Sequence, residues 1–192
     1  SREILQDNPL LKKIQSGIVQ RLVKDLKKRA ENADEYNTFW NTFGAVFKEG
    51  LYEDFERREE LLDLARFTST HGDGLISLKD YAGRMKEGQD AIYYITADSL
   101  SAAKNSPQLE IFRKKGIEVL LLSERIDEWV VSHLHEFEGK QLQSVAKGEL
   151  DLGKLADEAD KKEQEKDAGE YKDLVEKIKK ALGEGVKEVR TT

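Results

Sequence analysis

Residues 92–145, IYYITADSLSAAKNSPQLEIFRKKGIEVLLLSERIDEWVVSHLHEFEGKQLQSV, decide the fold. The opening run Ile92-Tyr93-Tyr94-Ile95-Thr96 is rich in β-branched and aromatic residues and reads as a short strand. A helix is expected near 99–115, interrupted at Ser106-Pro107 and closed by Gly116. Glu118-Val119-Leu120-Leu121-Leu122 reads as a second, buried strand, residues 126–137 as a helix, and residues 142–145 as a third strand. Strand and helix alternating over about 55 residues predict a small parallel sheet with right-handed crossovers.

Upstream the pattern is helical. Asn8 suits an N-cap and Pro9 a first turn for a helix over about 9–30. Leu10, Ile14, Ile18, Leu22 and Leu26 recur every fourth residue and predict its buried stripe, widened by Leu11, Val19 and Val23. A second helix is expected over 35–48 after Asp34, with Tyr36, Phe39, Trp40, Phe43 and Phe47 inward and Gly50 as its end. A third is expected over 54–67, with Phe55, Leu61, Leu62 and Ala65 inward, and a short fourth over 77–86.

Downstream, residues 147–169 carry many charges and few large apolar side chains, as a linker does. Tyr171, Leu174, Val175, Ile178 and Leu182 then predict another amphipathic helix, followed by a strand-like start at 186–189. The expected class is thus α/β: a helical layer, a small α/β/α subdomain with a short parallel sheet, a charged linker, and the helix-strand start of a further domain. The corresponding divisions are 1–90, 91–147, 148–168 and 169–192. Ser1 is not an initiator methionine and the pattern at 186–189 breaks off, so the sequence reads as a piece of a longer protein.

Composition narrows the function. Of 192 residues, 36% are charged, against about 25% in an ordinary domain, which favours thin, well-solvated layers. The net charge of −6 argues against nucleic acid as the main ligand, the basic run Lys24, Lys27, Lys28 and Arg29 reading as a solvated helix face. There is no cysteine, hence no disulfide and no thiolate metal site, and no apolar stretch long enough for a membrane helix. A cytoplasmic location is expected.

Several chemical readings fail on their own terms. Aligned to a twelve-residue calcium loop, residues 69–80 place Gly74 at position six but Ser69 and His71 where carboxylates are needed. His133 and His135, two apart on a helix, point to different faces, and no metal site is expected. The turn Thr96-Ala97-Asp98-Ser99 lacks a glycine-rich phosphate loop and carries an acid where an anion would sit.

The pair Arg2 and Gln6 is different. On a helical turn a spacing of four puts both on one face, where a guanidinium fork and an amide suit the terminal phosphate of a nucleotide held elsewhere. Spacing alone is weak support, since such pairs are common on surfaces.

The wording of the chain adds to it. Ser1-Arg2-Glu3-Ile4-Leu5-Gln6, Phe39-Trp40, Tyr52-Glu53-Asp54, Ser77-Leu78-Lys79-Asp80-Tyr81, Ile92-Tyr93-Tyr94-Ile95-Thr96, Ile126-Asp127-Glu128-Trp129 and Glu136-Phe137-Glu138-Gly139-Lys140 occur in order. In this the chain resembles the heat-shock 90-kilodalton chaperones, from the later part of the middle domain to the start of the C-terminal domain, with Trp129 similar to bacterial members. Tyr52 and Ala97 depart from it, the family often having histidine and glycine there.

The resemblance implies that Arg2 and Gln6 reach the γ-phosphate of ATP, bound with magnesium in the protein's own N-terminal ATPase domain. The chain alone is then expected to hold no cofactor and to catalyse nothing. It further implies client proteins as partners, homodimerisation through the C-terminal domain, and coupling of ATP hydrolysis to client folding and remodelling. Neither nucleic acid nor membrane is an expected partner. Glu128, Trp129 and Ser132 are the candidate client contacts. Trp129 admits two readings, a core residue on the apolar stripe with Ile126, Val130, Leu134 and Phe137, or a partly exposed contact. The alternative function is a protein–protein interaction module that works without nucleotide.

Overall fold

The computed structural model describes residues 8–146, 177–179 and 181. The chain divides into two compact units, Ser1–Leu150 and Asp151–Thr192. In the second, residues 177–179 and 181 are helical; the rest of the expected helix, the linker and the strand-like start lie outside the described residues.

The first unit runs α1 (Pro9–Arg29), α2 (Ala33–Glu53), α3 (Arg58–Leu64), β1 (Phe67–Ser69), β2 (Gly72–Ile76), α4 (Leu78–Gly83), β3 (Ala91–Thr96), α5 (Leu100–Lys104), a 3₁₀ turn (Pro107–Leu109), α6 (Glu110–Lys115), β4 (Val119–Leu122), α7 (Arg125–His133), β5 (Glu136–Phe137) and β6 (Lys140–Ser144). The six strands form one mixed sheet in the order β2-β1-β4-β3-β6-β5. Its centre is the expected parallel trio, Tyr93 opposite Val119 and Ala91 opposite Gln141. The flanking pairs are antiparallel. The fold is therefore α/β, as expected, with a sheet twice as wide. The hairpin β1–β2 comes from before residue 90 and joins it through Thr68 opposite Leu121.

Both faces of β3 and β4 are covered, which explains their continuous hydrophobicity. Ile92, Tyr94, Leu120 and Leu122 join Tyr36, Trp40, Leu61, Leu62 and Val130 in one core beneath the helical layer. On the other face the Tyr93 ring meets Phe112 of α6 at 4.8 Å. Where β3 and β4 begin, the buried Tyr81 hydroxyl donates to the Glu118 carbonyl (2.6 Å) and accepts from the Tyr93 amide (3.0 Å). Burial raises the pKa of this phenol well above its ordinary value.

Local signals set several boundaries. Asn8 accepts from the Leu10 amide (2.9 Å) with Pro9 at the first helical position. Ser77 and Asp80 form a reciprocal capping box on α4. Gly116 closes α6 with φ of 61°, a conformation glycine adopts without the penalty of a Cβ.

Other expectations are corrected. The α1 stripe faces outward: Leu10, Leu11, Ile14, Ile18 and Leu22 are exposed, and Val19, Val23 and Leu26 make the core contacts. Asn32, not Asp34, caps α2. That helix passes through Gly50 to Glu53, because its later turns pack on α3; a Cβ at Gly50 would stand 3.2 Å from the Leu61 side chain. Phe43 is exposed. The third helix is only Arg58–Leu64, leaving Phe55 before it in solvent and Phe67 in β1. α7 stops at His133, since the backbone from Leu134 is extended and Glu136–Phe137 pairs with Lys140–Gln141.

Candidate functional site

Of the residues singled out from sequence, Arg2 and Gln6 lie outside the described residues. Glu128, Trp129 and Ser132 are all on α7. This helix begins where the Asp127 carboxylate accepts the Glu124 amide (3.0 Å), satisfying one of the unpaired donors of its first turn. The other Asp127 oxygen lies 2.6 Å from the Lys48 ammonium, which reaches Glu124 at the same distance. Lys48 and Asp127 are both buried, at 4% and 2% exposure. A charge pair in the core thus clamps the start of α7 to the C-terminal half of α2.

The clamp and the burial of Val130 fix which way the helix faces. Trp129 points outward and is 60% exposed, so the reading of it as a core residue is overturned. Its ring lies 6.5 Å from Tyr52, at the end of α2, and Tyr52 lies 5.7 Å from the His133 ring. His133 is likewise exposed rather than at the core edge. Its Nδ1 is 2.9 Å from the Trp129 carbonyl, to which the Ser132 hydroxyl also donates (2.8 Å). Ser132 therefore turns its hydroxyl back onto its own helix, while Glu128 stays exposed.

A second anchor stands beside this cluster. Arg58 donates from Nε to the Leu51 carbonyl (2.9 Å) and from Nη1 to the His133 carbonyl (3.4 Å), joining the C-terminal ends of α2 and α7. Its guanidinium lies 4.5 Å from the centre of the Phe55 ring, which is 65% exposed. A cation at two helix C-termini is favourably placed against the backbone dipoles. Partial desolvation, followed by the charges of Glu49 and Glu53, raises the Tyr52 pKa.

The arrangement is an aromatic surface on a rigid base, suited to binding rather than to proton or group transfer. Among the described residues no cluster of histidine and carboxylate side chains is placed to hold a metal ion. No described helix is long and apolar enough to cross a membrane. A cleft of about 300 Å³ between α1 and α3 is lined by Gln20, Lys24, Lys27, Arg57 and Glu60. Two of its cations are already paired, Lys27 with Glu60 (2.9 Å) and Arg57 with Asp54 (2.9 Å).

Sequence reasoning missed Tyr52, Phe55 and Arg58 as members of this surface. Tyr52 joins it only because α2 continues past Gly50, and no local signal marks Arg58, whose partners come from two distant helices.

The chain that folds into this mixed α/β unit is matched over residues 1–192 by the family model described as Hsp90 protein, and it belongs to the Hsp90 family. The chaperone protein HtpG of Nitrosospira multiformis is 59% identical over 200 residues, spanning 100% of this chain and 31% of that protein. HtpG of Dechloromonas aromatica is 59% identical over 196 residues, with the same coverage. The chain thus spans about a third of the length of these relatives. Among solved structures, the middle domain of a Plasmodium falciparum heat shock protein superposes with a TM-score of 0.68 at 35% identity, covering 74% of this chain and 61% of that one.

Proposed function

We propose that this chain is the middle segment of an ATP-dependent molecular chaperone and that it couples ATP hydrolysis elsewhere in the protein to the folding and remodelling of client proteins. The observation that carries the client-binding part is the 60% exposure of Trp129 within an aromatic cluster whose base is clamped. A large apolar ring held in solvent by a well-packed helix marks an interaction surface. Membership of the Hsp90 family supports the coupling part.

In this reading Arg2 and Gln6 reach the γ-phosphate of ATP and its magnesium held in the protein's own N-terminal domain, and the C-terminal domain forms a homodimer in the cytoplasm. Arg2 supplies a fixed positive charge where negative charge builds up in the transition state. Glu128, Trp129 and Ser132 contribute to the client surface, Ser132 through the shape of the helix end rather than through a free hydroxyl.

The test is steady-state ATP turnover of the full-length protein carrying Arg2→Ala. Turnover falls steeply, by about a thousandfold if Arg2 acts as an arginine finger on the transferring phosphoryl group, while nucleotide affinity is retained. Unchanged turnover would refute the role of Arg2. The exposed aromatic surface also favours a second reading, an interaction module that works without nucleotide. Client affinity that is indifferent to nucleotide in the full-length protein would support it.

A further inference from the structure

Resting on the reading of Trp129 as a client contact, we infer that the surface formed by the end of α2 and the outer face of α7 selects polypeptide segments in which a large apolar side chain stands close to lysine or arginine. The apolar group packs on Trp129 and Phe55, and the cation sits against the ring faces and the carboxylates of Glu49, Glu53 and Glu128.

The apolar half follows from exposure. Trp129 is 60% and Phe55 65% exposed, and Tyr52 lies between the end of α2 and the Trp129 and His133 rings. These rings need little ordering on binding. Tyr52 is held between two of them, Arg58 ties both helix ends, and Lys48 fixes the start of α7. A surface already in its bound shape loses less entropy when it binds.

The cationic half follows from the charges around the rings. Glu49 and Glu53 lie on the exposed side of α2 and act electrostatically on the Tyr52 hydroxyl. Glu56 follows Phe55 and Glu128 precedes Trp129, and both are exposed. Arg58 directs Nε and Nη1 at two carbonyls and its face at Phe55, and its Nη2 is buried, so little of its charge is offered to a partner. Arg125, one turn before Trp129, stands between Glu124 and Glu128 in the helix and leaves the rim acidic. Carboxylates around π-faces attract a cation twice over, by charge and by the ring quadrupole. The same rim repels phosphate, which disfavours nucleic acid and anionic lipid as occupants of this surface.

The test uses three fluorescein-labelled twelve-residue peptides of identical Phe/Leu content, flanked by arginine, glutamine or glutamate, titrated by anisotropy against the 192-residue chain. Affinity is expected to fall in the order arginine, glutamine, glutamate. The two ends differ by about tenfold at low ionic strength, the sum of one cation–π contact and one or two exposed ion pairs, and by less as salt rises. Glu49→Gln with Glu53→Gln brings the arginine and glutamine peptides to within about twofold, whereas Asp90→Asn with Asp98→Asn, the same charge change elsewhere, leaves the order intact. Trp129→Ser weakens all three. Equal affinities that Trp129→Ser still weakens would overturn the selection for cations and leave Trp129 as a client contact. Affinities indifferent to Trp129→Ser would overturn both. An arginine preference unchanged by the double glutamine substitution would overturn the assignment of the rim.

Discussion

Replacing Lys48 by methionine tests the claim that a charge pair in the core holds α7 where it is. Methionine is similar in length and apolar, so it fills the space between α2 and α7 without the ammonium. The Asp127 carboxylate, 2% exposed, then loses the partner at 2.6 Å while still buried, keeping only the Glu124 amide on its other oxygen. Glu124 loses far less, because its side chain is 48% exposed and water replaces the contact. Removing one member of a buried pair costs about 3–5 kcal/mol, mostly the penalty of the charge left behind. The contact of the Lys48 ammonium with the Phe67 ring, 5.4 Å away, adds to this.

For a unit of about 150 residues, each kcal/mol moves the melting temperature by about 2–4 °C, so a fall of roughly 6–20 °C is expected by circular dichroism. Lys48→Met combined with Asp127→Asn removes both charges and keeps a side-chain acceptor for the Glu124 amide. That double variant should recover most of the loss, and the cycle should show coupling of more than about 1 kcal/mol. A single variant that melts within about 2 °C of the parent, or a double variant whose losses simply add, would refute the clamp.

Two further outcomes follow from buried tyrosines. Tyr81→Phe removes the acceptor of the Tyr93 amide and the donor to the Glu118 carbonyl at the start of β3 and β4, and should cost about 1–3 kcal/mol in urea unfolding; a loss under about 0.5 kcal/mol would show that this end of the sheet does not depend on the hydroxyl. Burial pushes the Tyr36 hydroxyl, which donates to the Leu64 carbonyl at 2.8 Å, up to about 12 from 10. Its neutral form is favoured in the folded state, so its contribution is complete below pH 10 and is lost as the pH rises towards 12. The stability gap between the parent and Tyr36→Phe should narrow over that window, and a gap independent of pH would contradict the assignment.

The sequence alone determined what depends on near neighbours along the chain. Asn8-Pro9, the Ser77–Asp80 box and Gly116 act within one helical turn, and the short apolar runs at 92–95 and 119–122, bounded by turn residues, read as buried strands. The strands it did not reveal are β1, β2 and β5, of three, five and two residues, and such segments become strands only when a partner strand supplies the ladder. The pairing of Glu136–Phe137 with Lys140–Gln141 likewise ended α7 earlier than its apolar spacing suggested. Arg2 and Gln6 were singled out by their spacing and by the ordered blocks that follow them, and both lie outside the described residues. The tertiary structure decided which side of a stripe faces water. On α1 the every-fourth-residue row is exposed from Leu10 to Leu22 and meets the core only at Leu26, and on α7 the stripe that holds Val130 also holds Trp129. Periodicity says that a helix has an apolar face, but the rotation of that helix is set by what it packs against. Lys48, seventy-nine residues before Asp127, turns α7 so that Val130 enters the core and Trp129 meets solvent.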